Sequence, residues 1–218
     1  MKQITRILGA EHPNTISATS NYANTLGDQG KHDEAVELKK KVLKQMTRIL
    51  GAEHPDTILA MNNYANTLQA QDKLNEAAGI QKEVLEKYTR IISAEHPNTI
   101  FAMRNYAKTL ENQGKLNEAA EIQEEVLEKS TRILGAEHPH TMLAMSDYAI
   151  TFGYQGKLDK AVEIMKEVLE KRTKILGAEH PSTKAVATNL SILNETRAFH
   201  QTPLDTEKST KRSIFQSL

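Results

Sequence analysis

The sequence predicts an all-α fold, an α-solenoid of stacked antiparallel helix hairpins, and three observations carry that reading. A His-Pro pair recurs at His12-Pro13, His54-Pro55, His96-Pro97, His138-Pro139 and His180-Pro181, each 42 residues after the one before. Self-similarity at a fixed period of roughly 20 to 50 residues is the mark of a repeat architecture. Within each block the apolar residues fall at steps of three and four, which puts them on one stripe of a helix. The 218 residues are 39% apolar with no tryptophan, little for one large core but sufficient for seams of Ala, Leu, Ile and Val between stacked helices.

The blocks run 12–53, 54–95, 96–137 and 138–179. Ahead of them, Lys2 to Glu11 (KQITRILGAE) nearly repeats Lys44 to Glu53 (KQMTRILGAE), so residues 1–11 read as the remnant of a preceding repeat, the end of its second helix. That leaves a fragment of a longer array or an N-terminal half-helix cap, and the bare apolar Ile4, Ile7 and Leu8 favour the fragment, because solenoid caps present a polar outer face. Inside a block, Ile58, Met61, Tyr64, Ala65 and Leu68 define helix A. Pro55, Asp56 and Thr57 mark its start, proline suiting a first turn and the short polar side chains suiting free amides. Gly30, Gly114 and Gly156 close it, and Asp72 stands at the equivalent place in the second block, where a left-handed backbone is expected to be strained.

Helix B follows as the stripe Ala77, Ile80, Val84, Leu85, Tyr88, Ile91 and Ile92, long enough for about five turns. Asp33, Asn75, Asn117 and Asp159 stand where its N-cap is expected. Two helices joined by a short turn make a hairpin whose remaining apolar flank only the next hairpin covers. After His180-Pro181 the helix-A pattern continues through Ala187, Leu190 and Leu193, giving a partial repeat or C-terminal capping helix over 180–199. Residues 200–218 are polar and lack the apolar area to offset chain ordering, so a disordered tail is expected, with Lys208, Lys211 and Arg212 solvated beside Asp205 and Glu207.

Composition narrows the function classes. Lys plus Arg and Asp plus Glu both number 28, so no net field draws nucleic acid or an acidic membrane from a distance. The main basic run, Lys39, Lys40, Lys41 and Lys44, belongs to one block, whereas phosphate binding needs a repeated cluster. Absence of cysteine removes disulfides and thiolate chemistry. No apolar run approaches the ~20 residues of a membrane span, and the N-terminus has no signal-peptide pattern, so a soluble, cytoplasmic protein is expected. The five repeated histidines do not form a zinc site, because equivalent positions on stacked helices lie on the order of 10 Å apart while ligands share an ion at about 2 Å. They are expected instead to pack or hydrogen-bond between one helix B and the next helix A. Phosphate-loop, dinucleotide and nucleophile-elbow motifs are missing, so neither an enzyme nor a cofactor is expected.

Tyr64-Ala65-x-x-Leu68 in helix A and Ala77 after a Gly-Lys-type turn resemble the tetratricopeptide repeat. The usual unit of that family is about 34 residues, and the longer unit here, with its His-Pro-(Asp/Asn)-Thr and Asn-Asn-Tyr-Ala segments, resembles the repeats of kinesin light chains. The sensor arrays of NB-ARC-type signalling ATPases carry the same style of repeat. The resemblance covers residues 1 to about 197 and implies a right-handed superhelix, with helix A lining a concave face that binds a peptide segment of a partner protein. On that face Asn21, Asn63, Asn105, Asp147 and Asn189 form a row, with Asn66 close by. An amide row pairs with the backbone of an extended peptide, or else with the neighbouring repeat to set the superhelix. Leu59, Phe101 and Leu143, with Ser17 in the first block, are apolar pockets or core. Arg104 and Lys108 beside Asn105 resemble in composition a carboxylate clamp. Protein-interaction scaffold, sensor-array fragment and self-associating structural array are the functions these residues leave open.

Overall fold

The structure, a computed structural model, describes residues 6–201, and every regular element among them is a helix. The expected tail beyond Gln201, with Lys208, Lys211 and Arg212, lies outside the described residues, as does Ile4. The chain divides into two compact units, Met1–Lys115 and Leu116–Leu218. In the first, α1 (Pro13–Asp28), α2 (His32–Leu50), α3 (Pro55–Ala70), α4 (Leu74–Ile91) and α5 (Pro97–Asn112) each pack on the next in chain order. In the second, α6 (Leu116–Leu134), α7 (Pro139–Tyr154), α8 (Leu158–Leu176) and α9 (Pro181–Gln201) do the same. The odd-numbered helices through α5, with α7 and α9, are the expected helix A; the others are helix B. Helix α9 runs through His200 and Gln201, two residues into the segment expected to be disordered.

Each helix A opens with proline as its first residue, yet its cap is the histidine before that proline. The backbone of His54 is extended, and its Nδ1 accepts the amide hydrogen of Asp56 at 3.2 Å. His12, His96, His138 and His180 accept from Asn14, Asn98, His140 and Ser182 at 3.1 to 3.2 Å. This corrects the expectation that the histidine bridges one helix B and the next helix A. An imidazole with a free ring nitrogen does the work of a Ser or Asp side chain, satisfying one of the amides that a helix start leaves open.

The helix-B caps are also corrected. Those helices begin two residues earlier than expected, at His32, Leu74 and Leu158, and Lys31, Lys73 and Lys157 hold the cap positions without a side-chain bond. Asp33, Asn75 and Asp159, like Asn117, are thus the second residue of each helix, free to bond elsewhere.

The turns between helices need left-handed backbone. Asp72 adopts φ 61° as expected, where its equivalents are Gly30, Gly114 and Gly156. Ser93 is a second such residue, with φ 108°, standing where Gly51, Gly135 and Gly177 close the other helices B. Serine side chains strain this conformation, which only glycine enters freely.

The core of Met1–Lys115 is built from seams linked through the partly buried Leu43 and Ile80. Val36, Tyr64, Leu68 and Ala77 form one, Ile58, Val84, Tyr88 and Ala102 another, and Ile16, Val42 and Ala60 a third. Among the described residues of Leu116–Leu218 one cluster joins Met142, Met145, Tyr148, Phe152, Met165, Val168, Val186 and Leu193. Of the helix-B stripe only Ile91 departs from expectation: it is exposed in the last turn, as are Ile49, Leu50, Ile133, Leu134, Ile175 and Leu176 in the last turns of the other helices B.

Candidate functional site

The sequence placed the candidate residues in a row along helix A, and in the first unit α3 and α5 carry most of them. Leu59 and Phe101 are 42% and 43% exposed, so neither belongs to the core. Both stand one turn before an asparagine, Asn63 and Asn105, on the same helix face. Asn63 is half-buried. The side chain of Asn105 donates from Nδ2 to Oδ1 of Asn62 at 3.2 Å, tying α5 to α3, and Asn62 itself is 1% exposed. Asn105 therefore already has a partner in the preceding repeat. Asn66 is engaged too: its Oδ1 accepts from Nε2 of the buried Gln81 on α4 at 3.1 Å. In α1, Asn21 and Ser17 are exposed.

Lys108 forms an ion pair with Glu111, a carboxylate 6% exposed one turn along the same helix. That pairing occupies the charge that a carboxylate clamp would use. Arg104 is half-buried beside it. In the second unit Leu143 is half-buried rather than exposed, and Asp147 faces the charge of Arg172 on α8. Burial pushes the Arg172 guanidinium down from its ordinary value and the Asp147 carboxylate opposes that. Asn189, on α9, is half-buried.

Sequence reasoning missed the bonds that join successive hairpins, because their partners lie about forty residues apart. Nε2 of Gln71, Gln113 and Gln155 donates to Oδ1 of Asp33, Asn75 and Asn117 at 2.7, 2.9 and 3.1 Å. Gln113 and Gln155 also donate to the carbonyls of Leu74 and Leu116. In α9 the glutamine gives way to Arg197, which donates to Asp159 at 3.4 Å. The signal was present in the recurrence of Gln two residues before the lysine of each Gly-Lys or Asp-Lys turn and of Asp or Asn at the second residue of each helix B. Glu53, Arg90 and Lys87 add an ionic junction, with hydrogen bonding from Lys87 the main cause that holds the Glu53 carboxyl below its usual range.

Among the described residues no group of three or more His, Asp or Glu is arranged to hold a metal ion, and no helix is long and apolar enough to cross a membrane.

The family model for the tetratricopeptide repeat matches residues 14–90, 59–129 and 98–174. The chain belongs to the tetratricopeptide repeat family. No curated protein matches its sequence. Among solved structures, the crystal structure of the nearly identical TPR-like repeats assigned to a kinesin light chain of Podosopora anserina is similar at 26% identity, with TM-score 0.73, over 87% of this chain and 90% of that one. BtubC (BKLC) from P. vanneervenii shares the fold at TM-score 0.74 and 16% identity, over 90% of this chain and 80% of that one. The tetratricopeptide repeats of this chain are thus of the kinesin light chain type, an architecture of protein-interaction scaffolds.

Proposed function

We propose that this tetratricopeptide array is a non-enzymatic scaffold that holds an extended peptide segment of a partner protein against the helix-A face of Met1–Lys115. One observation carries the reading: Leu59 and Phe101 are large apolar side chains at equivalent positions of successive repeats, and both are left open to solvent beside Asn63 and Asn105. Apolar side chains of a peptide fill the space over Leu59 and Phe101, while Asn63 offers a donor and an acceptor to its backbone. Because Lys108 is committed to Glu111, apolar contact rather than carboxylate capture dominates.

The test is selection of peptides from a random displayed library on the full chain, followed by affinity measurement of the recovered peptides. Leu59→Ala and Phe101→Ala each weaken binding by about 1 to 3 kcal/mol, and Asn63→Ala by about 1 kcal/mol. Selected peptides that bind all three variants as tightly as the original, with helicity intact, defeat the reading.

A further inference from the structure

All five helices A start on the same titratable group. Nδ1 of His12, His54, His96, His138 and His180 accepts the amide hydrogen of the second helical residue, which is Asn14, Asp56, Asn98, His140 and Ser182 in turn. An imidazole accepts there only while Nδ1 carries no proton, because the imidazolium has N–H on both nitrogens. Asn, Ser or Thr at that place caps a helix with no such dependence. None of the five rings is buried, so water delivers the proton directly. Histidine is also the side chain that ordinarily changes charge in mildly acidic water. Once protonated, each ring turns an N–H toward an amide N–H and sets a positive charge at the positive end of a helix dipole.

The charged surroundings differ from one start to the next. The glutamate before the histidine is already engaged: Glu11 with Arg48 of α2, Glu53 with Lys87 and Arg90 of α4, Glu137 with Lys174 of α8, and Glu179 with Lys184 on its own helix. Glu95 precedes His96 in the same way. Arg172 of α8 adds positive charge beside the His180 cap, donating to the carbonyl of Ser182 at 3.1 Å. His54 has a second carboxylate, Asp56, whose Oδ2 lies 3.8 Å from its Nδ1 and offsets an added proton. His138 has the opposite, the ring of His140 stacked on it at 5.4 Å, a second positive charge in acid. We propose that these caps form a proton-operated switch, which closes the first turns of helices A at neutral pH and opens them in mildly acidic water. The fourth repeat opens first and the second last. The unfolded chain loses no bond on taking up the same protons, so the stability that the caps contribute is full above the ordinary histidine range and is lost as pH falls through it. The switch does not depend on the peptide-binding reading.

The test compares the full chain with a variant combining His12→Asn, His54→Asn, His96→Asn, His138→Asn and His180→Asn, because asparagine caps a helix without titrating. From about pH 7.5 to about pH 5.5 the melting temperature of the unsubstituted chain is expected to fall by about 10 °C, and that of the variant by less than half as much. His32, His140 and His200 remain in the variant, so equal falls in both chains assign the effect elsewhere and overturn the proposal. Hydrogen exchange on the unsubstituted chain is a second readout that does not need the variant to fold. Over the same pH range, protection of the Asn14 and Asn98 amides drops about fivefold, that of His140 more, and that of Asp56 least. Asp56→Asn removes the offsetting carboxylate and brings the loss at residue 56 up to that at Asn98. Protection at these amides that is indifferent to pH overturns the proposal as well.

Discussion

The second repeat, 54–95, and the fourth, 138–179, start their first helix with the same histidine cap and carry the same turn glutamine, yet they solve the rest of the hairpin in opposite ways. The fourth closes its turns with Gly156 and Gly177 and fills its interior with Met145, Phe152 and Met165. The second closes the same turns with Asp72 and Ser93 and places Gln81 where the fourth has Met165. Gln81 pairs with Asn66, but its Oε1 and the Nδ2 of Asn62 remain buried without a hydrogen-bond partner. The difference teaches that the bonds joining hairpins define this fold, while the interior of each hairpin and its turns are free to carry strain and buried polarity. The second repeat carries both, while the first and third also bury a polar side chain at the position of Gln81, Lys39 and Gln123.

Exchanging interiors breaks the comparison most sharply. Met165→Gln imports the polar residue without its partner, because the position equivalent to Asn66 is Ile150, and a cost of about 3 kcal/mol in chemical denaturation is expected. Next is the first repeat, whose residue at this position is Lys39, 3% exposed with Nζ donating to Ser20 at 2.8 Å. Burial holds the Lys39 ammonium below the ordinary lysine range. The unfolded chain therefore keeps this proton over alkaline pH values at which the folded chain has released it, so this group's contribution to stability rises as pH climbs toward the ordinary lysine value. Lys39→Met is expected to raise stability at neutral pH by about 2 kcal/mol and to flatten that alkaline rise, both read from melts across pH.

Smaller effects belong to the turns and caps. Ser93→Gly and Asp72→Gly each relieve left-handed strain and should raise stability by about 1 kcal/mol, whereas Gly177→Ser and Gly156→Asp should lower it by a similar amount. His54→Ala removes a cap and is expected to cost about 1 kcal/mol, with His54→Asn restoring most of it, as measured by denaturant midpoint.

The helices were legible because a period of 42 residues and apolar steps of three and four are both one-dimensional signals. So was the strain at Asp72, since a break in a repeated glycine stands out. Ser93 breaks the same kind of pattern one turn later, and the repeat alignment held that information as well. The histidine caps were not legible, because capping preferences favour Ser, Thr, Asp and Asn, and a His-Pro pair offers Asp56 and Thr57 as more ordinary choices. The first turn of helix B was shifted by two residues for the same reason: Asn75 looked like a cap, but the cap is Lys73 and Leu74 already has helical geometry. At the site, spacing identified the face on which Leu59 and Phe101 lie but not whether a neighbour covers them. Exposure there depends on how closely α3 and α5 approach, which no single helix encodes.

The glutamine bonds have a genetic consequence. Since the donor in one block and the acceptor in the block before recur with the same spacing, an unequal crossover that deletes or duplicates 42 codons leaves a donor opposite an acceptor at the new seam. Such an array changes its number of blocks by recombination without inventing a new joint, and its length is open to selection independently of any individual side chain.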